Sequence, residues 1–337
     1  MRVSWAKRWQ ALRVLLVVVG TGMAAAYRLC LAMPGRSYRG RLPALTPGQA
    51  RLAAELRRDV MRLASEGERN VRHHAALVRA GAWIEDELRA VGYEPRRQAY
   101  TVCGRTCFNV EAQIHGLQRP SQVIVVGAHY DSAPGVPGAN DNASGVSALL
   151  ALARRMCDAG LARTLRMVWF ANEEPPHFQQ PGMGSLHDAR AAALRGEDIV
   201  AMLCLETMGY FSDARRSQKY PALVRAFYPS TGNFIGFIGN FASRALVRHS
   251  IGVFRRHTAF PSQGAALPER VGGVASSDPW SFWRYGYRAV TITDTARYRY
   301  PYYHSPADTA DKLDYDRLAR VVEGLIEVIG HLSCVVG

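Results

Sequence analysis

Five short, nearly uninterrupted apolar runs constrain this chain more than any other feature: residues 123–127, 165–171, 200–205, 234–238 and 288–293. A strand wetted on one face alternates apolar and polar residues. A run that stays apolar throughout must be covered on both faces. Between and after these runs come helical periods over 144–159, 185–194, 243–257 and 314–332. Strand and helix in alternation predict an α/β fold: a mainly parallel mixed sheet with helices on both faces. One earlier segment differs. Phe108, Val110, Ala112 and Ile114 alternate with polar residues, which predicts a half-exposed strand in a hairpin with 95–102. Upstream, Thr46-Pro47 opens a helix with Leu52, Leu56, Val60 and Leu63 on its apolar stripe, and a second helix over 72–91 stops at Gly92.

The net charge of +14 resembles a nucleic-acid signal until it is located. Half of it lies in residues 1–40, in Arg2, Lys7, Arg8, Arg13, Arg28, Arg36 and Arg39, with no acid among them. The rest is spread thinly, without the basic stripe and interleaved aromatics of a nucleic-acid groove, so nucleic acid is not an expected partner. The N-terminal cluster flanks an uncharged run, residues 14–27, short for a span but of signal-peptide length. With Arg28 snorkelling, the run extends to Met33 and crosses a bilayer. Residues 1–33 thus read as a membrane anchor, or as a signal cleaved near Ala24-Ala25-Ala26. The remaining alternative is a buried first helix of the fold. Either of the first two exports the body of the protein, to the periplasmic or exterior side. Residues 34–44 read as a linker and 45–337 as the functional domain.

Chemistry concentrates on the glycine-rich stretch 127–145, GAHYDSAPGVPGANDNASG, which follows one apolar strand and precedes a helix. It carries His129, Asp131 and Asp141. Glu173 and Glu174 follow the next strand, Glu206 ends the one after, and His304 lies beyond the last. Ligands of open α/β sheets bind at the carboxyl ends of strands. Imidazoles and carboxylates gathered there stay unsatisfied without a cation, and a His/carboxylate set without thiolate suits zinc. Taken singly, each has a plainer explanation as a loop hydrogen bond, a solvated turn or a packing residue. Glu206 is different, because a carboxylate inside an apolar strand needs a partner. Cys103 and Cys107 flank a Gly-Arg-Thr turn and could bridge in an exported chain, or bind metal; Cys157 and Cys204 read as inert core thiols. The acceptor pattern Asn142-Ala143-Ser144 falls on the same loop and is read as a false glycosylation signal.

HYDS at 129–132, GANDNASG at 138–145, NEE at 172–174 and a late Tyr-His before a final helix resemble the dinuclear zinc aminopeptidases. That group includes bacterial leucyl aminopeptidase, glutamate carboxypeptidase II and the glutaminyl cyclases. The resemblance spans residues 50–335 and implies a zinc-exopeptidase-like three-layer sandwich, of the phosphorylase/hydrolase type. It also implies a zinc-dependent exopeptidase, first an aminopeptidase, acting on peptides with two zinc ions per chain. Asp141 would bridge the ions, His129 and Glu206 would complete one site, and Glu174 and His304 the other. Asp131 would orient the His129 ring, and Glu173 would be the general base. A cis peptide is implied between Asp141 and Asn142. Glu206 stands where aminopeptidases usually carry aspartate, which keeps carboxypeptidase activity open. Ser277-Asp278-Pro279 departs from a Ser-Asp-His pattern, so Asp278 is read either as a support of the site or as a cap before Pro279. Tyr302 or Tyr303 is the candidate oxyanion donor or an aromatic wall. Two rival functions are a mono-zinc, glutaminyl-cyclase-like aminoacyltransferase and a non-catalytic ectodomain on the same scaffold.

Overall fold

The structure, a computed structural model, describes residues 5–222 and 224–334. Helix α1 (Trp5–Cys30) precedes α2 (Pro47–Ala64) and α3 (His74–Ala90). Helix α2 starts as its sequence predicts. Thr46 Oγ1 accepts from the Gln49 amide, and Gln49 Oε1 accepts from the Thr46 amide, a reciprocal capping box. A hairpin follows, β1 (Arg96–Val102) and β2 (Arg105–Ile114), with Cys103 and Gly104 both at positive φ in the two-residue turn. The Cys103–Cys107 bridge that the spacing allows is not formed, and among the described residues neither thiol joins a group able to hold metal. Cys103 is exposed at the tip, whereas Cys107 is buried opposite Tyr100 in the ladder.

Then come β3 (Arg119–His129), α4 (Ser144–Met156), β4 (Arg163–Phe170), α5 (Gly184–Leu194) and β5 (Asp198–Glu206). The remainder comprises β6 (Ile235–Gly239), α6 (Arg244–His257), β7 (Ser262–Ala266), α7 (Pro279–Arg284), β8 (Ala289–Thr293) and α8 (Tyr315–Cys334). All eight strands form one sheet in the order β1-β2-β4-β3-β5-β8-β6-β7. Strands β4, β3, β5 and β8 run parallel, β2 and β6 oppose them, and β7 runs parallel to β6. The mixed, mainly parallel sheet is as expected. Two elements carry no sequence signal: β7 is Ser-Gln-Gly-Ala-Ala, without a β-branched or large apolar residue, and α7 has only six residues.

Adjacent residues of the central strands serve different layers. Ile124, Val126, Met167, Leu203 and Ile292 pack with α2, α4, α6 and α8, whereas Val125, Val168, Met202 and Cys204 pack with α5 and α7. This two-sided covering is why the runs are continuously apolar. The alternative of α1 as a buried core helix is overturned. Its span Leu12–Cys30 has no buried share and a mean hydropathy of 1.5, and Leu16, Val17 and Val18 stand in the open.

Polar contacts also tie the helical layer. Arg154 on α4 donates to Glu55 (2.7 Å) and Asp59 (2.6 Å) on α2 and to Glu87 (2.6 Å) on α3. Asp59 is fully buried, so truncating the guanidinium would leave its charge undercompensated beside Arg58 alone. Arg154→Leu is therefore expected to lower unfolding stability by about 3 kcal/mol, measured as a reduced urea midpoint; an unchanged midpoint would show that Arg58 suffices.

Candidate metal centre

Every predicted ligand lies where the carboxyl ends of β3, β4, β5 and β8 meet. His129 is the last residue of β3 and Glu206 the last of β5; Glu173 and Glu174 follow β4, and His304 follows β8. The segment between β3 and α4 folds over this edge because two glycines permit it. Gly138 has φ +62, and a Cβ there would lie 2.4 Å from the Asp141 carbonyl oxygen. At Gly145 a Cβ would lie 2.4 Å from both Asn142 Oδ1 and the Leu205 carbonyl oxygen. The peptide between Asp141 and Asn142 is cis, as the resemblance implied. Asn142 ties the loop to the end of β5. Its Nδ2 donates to Leu205 O (2.8 Å), and its Oδ1 accepts from the Thr207 (3.0 Å) and Gly145 (3.1 Å) amides.

Four side chains converge on His129 and His304. His129 Nε2 lies 3.2 Å from Asp141 Oδ1, 3.4 Å from Glu206 Oε2 and 3.9 Å from Glu173 Oε2. His304 Nε2 lies 3.1 Å from both Asp141 Oδ2 and Glu174 Oε2. Three groups with ligand atoms within 4.8 Å of one another result: His129/Asp141/Glu206, Asp141/Glu174/His304 and His129/Glu173/Glu174. Asp131 approaches His129 Nδ1 at 3.4 Å and accepts from the backbone amides of Glu173 (3.1 Å) and Glu174 (3.0 Å). It thus braces two strand ends at once.

The electrostatics are those of a cation site. Burial pushes the Glu173 carboxyl well above its ordinary range, and Glu206, Glu174 and Asp278 push it further despite His129. Burial, then Asp141, raises Glu174 to about 7. Burial would lower His304, but Asp141 and Glu174 raise it to about 10; Glu206 and Glu173 likewise lift the fully buried His129. Burial alone would raise Asp141, yet the two imidazoles hold it well below the usual carboxylate range. Neither nitrogen of His129 makes a directed hydrogen bond, and Glu174 Oε1 has no partner. Buried polar atoms without partners, arranged with more carboxylates than two imidazoles can balance, fit zinc.

Other expectations separate here. Tyr303 stacks on the His304 ring (4.0 Å between centroids) and has its phenol pushed up by burial and by the nearby Asp141 and Glu174 carboxylates. Tyr302 packs instead on Tyr300 and beneath Lys312. Asp278 makes no cap bond to α7. It is fully buried, neither oxygen has a partner, and burial raises it to about 7. Cys204 contacts Ser277 Oγ (3.6 Å), and Ser277 in turn donates to Glu206 Oε2 (2.7 Å).

Several supporting residues escaped the sequence reading. Asp308 accepts from the amides of Asn140 (2.8 Å) and Asp141 (3.2 Å) and from Tyr300 Oη (2.7 Å). Asp294 accepts from Asn140 Nδ2 (2.9 Å) and the Tyr210 amide (2.9 Å). Buried Arg69 donates to the carbonyls of Tyr130, Pro137 and Gly138. Ser277 was noted only as part of a motif. No motif marks the other three, which are single residues acting on backbone.

The profile of peptidase family M28 matches residues 109–329. The chain is 34% identical over 262 residues to the Escherichia coli (strain K12) protein YfbL, described as uncharacterized, covering 75% of this chain and 80% of that one. It is 24% identical over 240 residues to a probable leucine aminopeptidase of Arthroderma otae, covering 67% of this chain but only 57% of that protein. Among solved structures, the LapA aminopeptidase of Legionella pneumophila superposes with a TM-score of 0.68 at 16% identity, over 89% of this chain and 78% of that one. A glutaminyl cyclase of Fimbriiglobus ruber superposes at 0.61 and 17%, over 89% and 99%. At such identities the structural likeness is one of fold, a three-layer α/β sandwich. The family match spans most of the chain, which accordingly belongs to peptidase family M28 and is a zinc metallopeptidase.

Proposed function

We propose that this chain is a dizinc aminopeptidase, exported and held at a membrane by α1. The placement of Asp141 carries the reading: its two oxygens face two different histidines, at 3.2 and 3.1 Å, so one carboxylate belongs to both triads. His129, Asp141 and Glu206 would hold one ion, and Asp141, Glu174 and His304 the other. The presence of His129 in its own triad favours this over the one-zinc, glutaminyl-cyclase-like alternative. Zinc, when bound, supplies Lewis acidity at the scissile carbonyl and makes water a stronger acid.

The chain's own residues do the rest. Glu173 accepts a proton from the attacking water and passes it to the departing amine, the usual exchange of a positioned general base. Asp131 keeps that carboxylate in place through the Glu173 amide while steadying the His129 ring. Tyr303 is the donor toward the negative charge that develops on the carbonyl oxygen. A pocket of about 120 Å³ opens beside Glu206, Ser277 and Tyr303, walled by Val224, Phe234 and Ile238 among others. Its size approaches the roughly 150 Å³ of an apolar cavity that accepts benzene. It suits the apolar side chain of a peptide's first residue.

Elemental analysis of the purified protein is expected to return two zinc ions per chain, and one in His129→Ala. A single ion in the unaltered chain, with pyroglutamate formed from N-terminal glutamine, would sink the dizinc reading. Glu173→Gln should lower kcat on aminoacyl anilides by about 10²–10⁴-fold while keeping its zinc; a fully active variant would remove Glu173 as base. Leucyl and phenylalanyl anilides should exceed glutamyl anilide by about 10–200-fold in kcat/KM, and N-acetylation should abolish cleavage. Preference for the acidic substrate would show that the apolar pocket does not receive the side chain.

A further inference from the structure

The sheet has two edges, and the metal centre uses one. At the opposite edge begin β3, β4, β5 and β8, and the antiparallel β6 ends. Outside α1, the exposed large apolar side chains among the described residues are Met61, Leu117, Leu194, Phe227, Phe241 and Tyr285. Four of these share that opposite edge. Leu117 (76% exposed) lies just before β3 and Leu194 (78%) ends α5 ahead of β5, while Phe241 follows β6 and Tyr285 precedes β8. At about 4.8 Å per strand they are spread over roughly 20 Å of loop tips. Phe227, in the segment between β5 and β6, lies against Tyr27 near the end of α1 with the rings tilted, 5.8 Å between centroids.

The anchor arrives at the same edge. Arg244, the first residue of α6, donates to the carbonyls of Leu29 (2.5 Å) and Arg28 (3.3 Å). From there residues 32–35 climb along α6 toward the metal-centre side. Ala32 O accepts from Arg248, and Pro34 O and Gly35 O accept from Arg255 at 3.0 and 3.2 Å. The end of the expected anchor and the first two residues of the expected linker are thus held by three arginines of one helix, Arg244 and Arg248 on residues 28–32 and Arg255 on Pro34 and Gly35. Basic residues accompany the apolar tips: Arg119 opens β3, Arg288 precedes β8, and Arg195 and Arg284 lie beside Leu194 and Tyr285. Arg195 and Arg284 pair with Glu197 and Glu269, and Asp158 and Asp198 are exposed acids at the same end.

We propose that this edge is a second membrane contact: the tips Leu117, Leu194, Phe241 and Tyr285 seat in the interface of an anionic bilayer around the exit of α1. Isolated apolar and aromatic side chains on loop tips, ringed by arginine, match the headgroup zone, where aromatic rings and basic residues concentrate. A protein partner would more usually meet one contiguous apolar patch than tips spread along an edge. The metal centre then faces away from the membrane and takes peptides from the aqueous phase. This inference rests on α1 being an uncleaved anchor, not on the chemistry of the metal centre.

Hydrogen–deuterium exchange on the full chain tests it, in nanodiscs of phosphatidylethanolamine with phosphatidylglycerol against detergent micelles. Amides in 115–119, 194–198, 240–244 and 284–288 should exchange several-fold more slowly in the nanodiscs, with 301–309 unchanged. In the double variant Leu117→Asp, Phe241→Asp, whose positions are exposed, the slowing should disappear from 115–119 and 240–244. Zinc content and anilide hydrolysis should stay as in the parent, and measuring both separates failure here from failure of the peptidase reading. Equal exchange in both media, slowing at 301–309 instead, slowing only after a membrane protein extract is added, or a mature N-terminus beyond Ala26 would each overturn it.

Discussion

A concentration of buried negative charge, met by two imidazoles, is the constraint on which the rest of this structure depends. Asp141, Glu173, Glu174 and Glu206 are all nearly inaccessible to water, and the imidazoles of His129 and His304 face them at close range. Isolated buried carboxylates are costly, and a protein tolerates such a group where protons or cations balance it. Much of the surrounding polar architecture is explicable as the means of holding these groups together. Asp131 links β3 to the loop after β4, Asn142 links the glycine-rich loop to β5, and Asp308 holds the amides of Asn140 and Asp141 from the loop after β8.

The sheet makes that possible. Because both faces of β3, β4, β5 and β8 are covered, their ends are fixed relative to one another, and polar residues can emerge only beyond the last buried apolar position. The backbone at the site is correspondingly unusual. Asn172, Thr207 and His304 all have positive φ, at 62, 40 and 52°, directly beside or within the ligand set. Non-glycine residues in that region cost about 1–3 kcal/mol and persist where surrounding contacts over-determine them. Here they turn Glu173 and His304 toward the cluster while each strand keeps its register.

Legibility in the sequence followed from how local each signal was. The ligand residues are legible because each follows a recognisable strand within a few positions, in an order shared with a known group. The start of α2 at Thr46-Pro47 and the β1–β2 hairpin are legible for the same local reason. By contrast, Asp308 acts on backbone amides 167 and 168 positions away, and Asp294 on an amide of residue 140, so neighbouring sequence carries no trace of either role. Arg69 reads as one more surface arginine until its guanidinium is found fully buried against carbonyls of the active loop. The Cys103–Cys107 spacing allows a bridge, whereas the hairpin register sets Cys107 against Tyr100.

By itself, then, the sequence determined the layer architecture, the six central acid and imidazole residues and the apolar N-terminal segment. Each of these is written as periodicity or as residues closely following a strand. Only the tertiary structure decided that β6 runs against β8, that Tyr303 stacks on His304 while Tyr302 packs on Tyr300, and that Asp278 is fully buried without a side-chain cap bond to α7. It also decided that Arg28 and Leu29 meet the start of α6 at the end of the sheet away from the metal centre, and that residues 32–35 run back along that helix. Strand direction, side-chain facing and the sharing of one sheet edge by distant loops arise from long-range packing, which a five-residue apolar run cannot encode.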